Sequence, residues 1–258
     1  MNLTNDNYCS NRMNWLYWSV SQFKAFDKCE AAAMAELRNE YVREETTALL
    51  VGSYVDAYFS GDIEQFRDEH PEVFKRSSLE LKADFRHAEE VINRIEHQPV
   101  MMDYLEGEKQ AIRTAELFGV PWKIKMDVYR PDERIVDLKV VKDFQPIYKD
   151  GFGMLDWVRY WGYDIQGAVY QKIEQLSAGR SKPLPFFIAA ATKERTPDVD
   201  LFQIPQHDLD AALKVVEAKI DRLDLIKTGE ILPTRCERCE FCKQTRLITK
   251  PRVYEMEV

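Results

Sequence analysis

The chain is sparing with glycine and proline, 10 and 11 in 258 residues. They are scattered as punctuation, so no flexible linker, low-complexity tract or internal repeat divides the sequence. Long apolar runs are also missing. The longest, Phe186 to Ala191, is strand-sized and far below the roughly 18 consecutive apolar residues of a membrane span. The first residues, Met1-Asn-Leu-Thr-Asn-Asp-Asn7, carry neither a basic nor an apolar stretch. The expectation is therefore no signal peptide and a cytoplasmic protein. Basic residues are not in excess: 36 against 44 acidic ones leave a net charge of −8. That balance excludes a uniformly basic nucleic-acid binder but leaves room for a local basic groove. Histidine is scarce, and His70, His87, His97 and His207 show no paired ligand spacing.

What is there is ordinary globular composition, 45% hydrophobic, enough for a sizeable core without staples. The organisation expected is one domain over residues 1–258, with 228–258 a cysteine-containing C-terminal appendage. The fold class expected is α/β (α+β). Ser19 or Ser21 caps a helix over about 22–42, and further helices are expected over about 50–61 and 79–96. The third carries Leu81, Phe85, Ala88, Val91, Ile92 and Ile95 at helical spacing.

The period then changes. Residues 123–129 alternate, with Ile124, Met126 and Val128 on one face, and residues 135–140 alternate again. Arg130-Pro-Asp-Glu-Arg134 between them is turn chemistry, so the two runs form a hairpin. A helix over about 157–176, strands at 186–191 and about 199–204, and a helix over about 208–227 follow.

The hairpin carries the most specific chemistry. Asp137 and Lys139 are two apart and share a face. With a three-residue loop of Pro131, Asp132 and Glu133, Asp127 lies directly opposite Asp137, at a Cβ separation of about 4.5–5.5 Å. Two carboxylates so close repel unless a cation sits between them, and oxygen ligands suit Mg²⁺ or Mn²⁺. A solvated hairpin face with incidental charges is the bland alternative. Gln166 and Tyr170 stand four apart on one face of the next helix. Gly52 and Asp56 stand four apart upstream, where glycine permits close approach of another backbone and Asp56 offers a third oxygen ligand. Lys123 and Lys125 share the Asp127 face, as phosphate contacts or as a solvated edge. Trp157, Tyr160, Trp161 and Tyr163 are read as core before they are read as a stacking platform for bases.

The order Gly52-x₃-Asp56, Asp127, Asp137-Leu-Lys139, Gln166-x₃-Tyr170 resembles the PD-(D/E)XK nuclease superfamily. Within it, the order is similar to phage and prophage exonucleases of the RecE type and the wider RecB-like group. The resemblance implies a central mixed sheet flanked by helices. It also implies an Mg²⁺-dependent deoxyribonuclease in a bacterial host cell. Carried over residue by residue, Asp127 and Asp137 are the metal carboxylates, with the Leu138 carbonyl near the metal and Lys139 the catalytic lysine. Gln166 and Tyr170 position the strand and the active site. Asp56 stands where many relatives have histidine. The activity implied is ATP-independent 5′-to-3′ digestion of linear double-stranded DNA. It leaves a 3′ strand for a single-strand annealing protein of the RecT type in phage recombination, with a ring-shaped homo-oligomer as the assembly. A single-strand DNA nuclease of the iron–sulfur RecB-like type and a non-catalytic metal-clamped DNA-binding module are the rivals.

Cys236, Cys239 and Cys242 form C-x₂-C-x₂-C, the spacing of three ligands in a ferredoxin-type 4Fe-4S run. In iron–sulfur RecB-like nucleases one N-terminal cysteine completes the set, and Cys29 occupies the matching first helix. Those relatives space the last two cysteines more widely. A 4Fe-4S cluster, a Zn²⁺ site and unliganded thiols stay open, and Cys9 is a spare thiol. The tail residues Lys243, Arg246, Lys250 and Arg252 are locally basic and are candidates for touching a DNA backbone.

Overall fold

The structure is a computed structural model describing residues 3–76, 78 and 80–251. Leu79, the expected start of the third helix, and Arg252 lie outside the described residues. The chain runs through α1 (Asn5–Tyr8), α2 (Asn11–Leu16), α3 (Val20–Lys28), α4 (Glu30–Leu37), α5 (Thr47–Ser60), α6 (Ile63–Glu69), α7 (Ala83–Glu96) and α8 (Pro99–Tyr104). It continues through β1 (Glu108–Leu117), β2 (Val120–Arg130), β3 (Arg134–Val141), β4 (Ile147–Lys149), β5 (Gly153–Leu155), α9 (Trp157–Trp161) and α10 (Tyr163–Ala178). It ends with β6 (Phe186–Thr192), β7 (Val199–Gln203), α11 (Gln206–Thr228) and α12 (Glu240–Gln244).

The central sheet has the order β1-β2-β3-β6-β7. Only the β3–β6 pair is parallel, and the others are antiparallel. A parallel pair needs a crossover, and α9 and α10 lie within it in the chain. The result is a mixed sheet flanked by helices. One face packs Trp18, Phe23 and Phe26 near the N-terminus with Val169 and Ile173 of α10 and Val216 and Ile220 of α11. The other packs Tyr54 and Val55 of α5 with Phe85, Val91 and Ile92 of α7.

The hairpin forms in the expected register, with Arg130 opposite Arg134 and three residues between them. Asp132 takes the left-handed conformation there, φ +67°. Three expectations need correction. The helix over 22–42 is two helices, because Cys29 is extended (φ −163°, ψ 105°) between α3 and α4. The helix over 157–176 breaks at Gly162, whose left-handed conformation (φ +65°) is cheap only for glycine. Val128 leaves the face of Ile124 and Met126: those two pack on the first core, Val128 on the second. The strand loses its period-two step at Asp127.

Candidate active site

The break at Asp127 opens the site. The β2–β3 ladder pairs Arg130 with Arg134, Tyr129 with Ile135 and Val128 with Val136, then stops. One step further the same register sets Asp127 against Asp137. There Asp127 Oδ2 accepts the Leu138 backbone N–H at 2.9 Å. A side chain thus takes the donor that a strand carbonyl would have taken, and the two strands part around the carboxylates.

Asp137 is buried, 1% exposed. Its Oδ1 accepts from Gln166 Nε2 at 2.6 Å, and Lys139 Nζ lies 2.5 Å from its Oδ2. That Oδ2 receives no hydrogen bond of proper geometry. Lys139 Nζ is also 4.0 Å from Asp127 Oδ2 and donates to the Leu138 carbonyl at 3.4 Å. Burial pushes the Asp137 carboxyl up to about 7, against the pull of Lys139. Burial works against the Lys139 ammonium, but the Asp137 and Asp127 carboxylates hold its pKa above the usual lysine range.

Asp56, from α5, lies near enough to Asp127 for the two charges to interact. Burial first, then the neighbouring Asp127, raises it to about 7, with Lys139 and Lys125 opposing. Gln110 Nε2 is 3.4 Å from Asp56 Oδ2. Gln110 sits opposite Asp127 in the β1–β2 register, in left-handed conformation (φ +51°), so both strands are distorted at the same level. Gly52, one turn before Asp56, makes no close backbone approach, contrary to expectation. A Cβ there would meet nothing within 4 Å, so the space beside Asp56 is open.

Tyr170 is half-buried in the same region. Burial raises its phenol far above the ordinary value, the nearby Tyr8, Asp137 and Asp127 add to this, and a Gln166 hydrogen bond opposes it. Gln166 reaches Asp137 because α10 lies close on the sheet: a Cβ on Gly167 would sit 2.5 Å from Phe186 Cδ1.

Three polar neighbours escaped sequence reasoning. Gln110 is one. Lys109 lies near Asp56 and Asp127, and burial lowers its pKa. Lys24 donates to the Trp161 carbonyl at 3.1 Å, and burial, with Lys139 next, lowers it to about 8. The Tyr163 ring lies 5.5 Å from Lys24 Nζ and 5.4 Å from Lys139 Nζ. No spacing in the sequence links these residues to the carboxylates. Lys123 is a correction: it is buried, and its ammonium donates to the Tyr8 carbonyl and to Asn14 Oδ1 rather than facing solvent phosphates. Among the aromatics, Trp157 is core and Trp161 is half exposed.

The donor set is chemically hard: carboxylates from Asp56, Asp127 and Asp137, with the Leu138 carbonyl beside them. One oxygen, Asp137 Oδ2, is buried and faces the Lys139 ammonium at 2.5 Å without a hydrogen bond of proper geometry. Such a set fits Mg²⁺ or Mn²⁺. At a separate place Cys29, Cys236, Cys239 and Cys242 converge, their sulfurs all within 4.8 Å of one another. Cys9 stands apart and exposed.

The mixed sheet and the carboxylate–lysine hairpin define a PDDEXK-like fold. A family model described as "PDDEXK-like domain of unknown function (DUF3799)" matches residues 19–245, and the chain belongs to that family. A crystal structure from Eubacterium rectale, described as "Putative exonuclease", is 46% identical, with 98% of this chain and 97% of that chain covered and a TM-score of 0.94. The structure of SSO0001 is 12% identical over 79% of this chain and 87% of that chain, at a TM-score of 0.27. No curated protein matches. Among the described residues, no helix is long and apolar enough to cross a membrane.

Proposed function

We propose that the protein is a divalent-metal-dependent exodeoxyribonuclease that hydrolyses phosphodiester bonds at the ends of linear double-stranded DNA. Family membership and the resemblance of the Eubacterium rectale structure support a nuclease. The observation that carries the assignment of the site is the placement of the Lys139 ammonium between Asp137 and Asp127, where the hairpin ladder parts.

In this reading Asp56, Asp127, Asp137 and the Leu138 carbonyl would hold Mg²⁺ or Mn²⁺, which would supply Lewis acidity and a water of lowered pKa. Lys139 stays protonated and presents its charge where a pentavalent phosphate gathers negative charge. Gln166 fixes the Asp137 carboxylate through Oδ1, and Lys139 faces its Oδ2. Tyr170 keeps its proton beside the Asp137 and Asp127 carboxylates. Lys24, Lys109 and Lys125 give a basic rim to a chain of net charge −8, which steers a polyanion to this one place.

The finer reading rests on likeness to RecE-type enzymes: 5′-to-3′ digestion without ATP, leaving 3′ strands for an annealing partner in phage recombination. A ring-shaped homo-oligomer follows the same analogy. The test is linear duplex DNA labelled at either the 5′ or the 3′ end, incubated with Mg²⁺ and no ATP, using wild type and Lys139→Ala. Early release of 5′ label, lost in the variant, is the expected result. Equal activity in both proteins overturns the site. Release confined to single strands overturns the substrate, and DNA binding without any cleavage makes the protein a binding module.

A further inference from the structure

The spacing of the sulfurs in the four-cysteine cluster bears on which metal group it can take. Cys29 Sγ lies 3.6 Å from Cys242 Sγ, and Cys236 Sγ lies 3.9 Å from Cys242 Sγ. All four sulfurs fall within 4.8 Å of one another. A single tetrahedral ion with metal–sulfur bonds of about 2.3 Å sets its four sulfurs about 3.8 Å apart. In a 4Fe-4S cubane each thiolate binds a different iron, which spreads the sulfurs to roughly 6 Å. The iron–sulfur cluster implied by likeness to RecB-like nucleases therefore does not fit this donor set. We propose that Cys29, Cys236, Cys239 and Cys242 form a tetrahedral site for a single Zn²⁺ ion, a clamp between the start of α4 and the C-terminal segment.

The backbone around the sulfurs is arranged for one compact ion. Glu237 takes a left-handed conformation (φ +58°), which folds the Cys236–Cys239 segment into a tight knuckle. The Cys239 N–H then donates to Cys236 Sγ at 3.3 Å. A donor aimed at sulfur favours the thiolate, the form that binds metal. The short C-x₂-C-x₂-C spacing fits the same picture: Cys242 falls in the first turn of α12, directly after the knuckle, which draws the three sulfurs together.

Binding replaces four S–H bonds with four Zn–S bonds and releases four protons to solvent, leaving a site charge of −2. The charge has a partner. Arg235 donates to the Cys242 carbonyl at 2.7 Å and feels Cys242 and Cys29 electrostatically. Cys29 and Cys242 are buried and Cys236 and Cys239 half-buried; with four thiolates around it such an ion would have no open position. Its role is to hold. The Thr234 carbonyl accepts the Ala31 N–H at 3.0 Å, and Glu30 accepts from both the Thr234 N–H and hydroxyl at 2.7 Å, so the clamp closes a segment already docked on α4. Zinc carries no redox chemistry, and the clamp is indifferent to oxygen.

The test is metal analysis of the full-length protein purified in parallel with and without oxygen. About one zinc per chain in both preparations, with no broad absorbance near 400 nm, is the expected result. Replacement with Co²⁺ should then give the visible bands of a tetrahedral thiolate site. Iron and sulfide near four per chain, with absorbance that bleaches in air, overturns the proposal, as does a folded chain that takes up neither zinc nor cobalt. Cys242→Ser should lose the ion and Cys9→Ser should keep it. If Cys242→Ser does not fold, the metal content of wild type and of Cys9→Ser still decides.

Discussion

A Cβ placed on Gly167 would lie 2.5 Å from Cδ1 and 2.7 Å from Cε1 of Phe186, and 3.0 Å from Leu209 Cδ2. Helix α10 can rest this close to β6 only because the residue after Gln166 has no side chain. The same approach brings the Gln166 amide to 2.6 Å from Asp137. Gly167→Ala should therefore cost about 1–3 kcal/mol, the usual penalty of overpacking a filled core, although alanine favours the helix. Urea denaturation of the purified variant measures it. A variant as stable as wild type would show that α10 moves off the sheet freely, and the tight link between Gly167 and Asp137 would fall.

Lys139 and Gln166 both touch Asp137, but in different ways. Lys139→Ala removes the positive charge between two carboxylates and should lower DNA cleavage by at least about 10²-fold with DNA binding retained. Gln166→Ala removes one hydrogen bond to a charged group, a loss of about 1.5 kcal/mol or roughly tenfold in rate. Single-turnover cleavage of a labelled duplex separates the two. Variants of equal effect would mean that Lys139 serves only to orient Asp137.

The parts legible in the sequence share one property: they lie on short-range patterns. The Arg130–Arg134 turn sets the register of β2 against β3, so the approach of Asp127 to Asp137 follows from local chemistry. The i, i+4 spacing of Gln166 and Tyr170 likewise needs only a helix. What was missed depends on tertiary structure. Strand β1 buries only Ala111 and Leu117 well, as an edge strand does, so it has no clean alternation to read. With it went Lys109 and Gln110. The break at Cys29 has no glycine or proline to announce it. It is fixed by Thr234 and the other three cysteines, some two hundred residues away. Lys24 meets the Trp161 carbonyl across 137 residues of chain, which no local spacing announces.

Gly52 lies inside α5, where glycine costs about 0.5–1 kcal/mol relative to alanine. Nothing in the folded chain requires it, since a Cβ there meets open space. The space is one helical turn from Asp56, and the proposed function predicts that a DNA strand passes there. Gly52→Ala should raise the unfolding free energy by about 0.5–1 kcal/mol, and Gly52→Leu should be as well folded but poor at cleaving and at binding duplex. Unchanged DNA affinity and cleavage in Gly52→Leu would place the strand elsewhere.

Asp56 supplies a pH dependence with a definite sign. Its folded pKa is raised to about 7, against about 3.9 in an unfolded chain. Between these values the folded protein holds a proton that the unfolded chain has released. Stability of the metal-free protein therefore falls as pH rises from about 4 to 7, and the full cost is present above 7. Asp56→Asn does not titrate. In chelator it should match wild type near pH 4 and exceed it at pH 8 by on the order of 1–3 kcal/mol. Added Mg²⁺ should reverse the order at pH 8, because an ion at about 100 times its Kd stabilises the wild type by about 2.7 kcal/mol and the variant has lost a ligand. Below pH 7 the cation must displace the proton, so Mg²⁺ affinity in wild type should weaken as pH falls. Melting curves at pH 4.5 and 8, with chelator and with Mg²⁺, test all of this in one set. A wild type that gains nothing from Mg²⁺ at pH 8 would remove Asp56 from the ligand set.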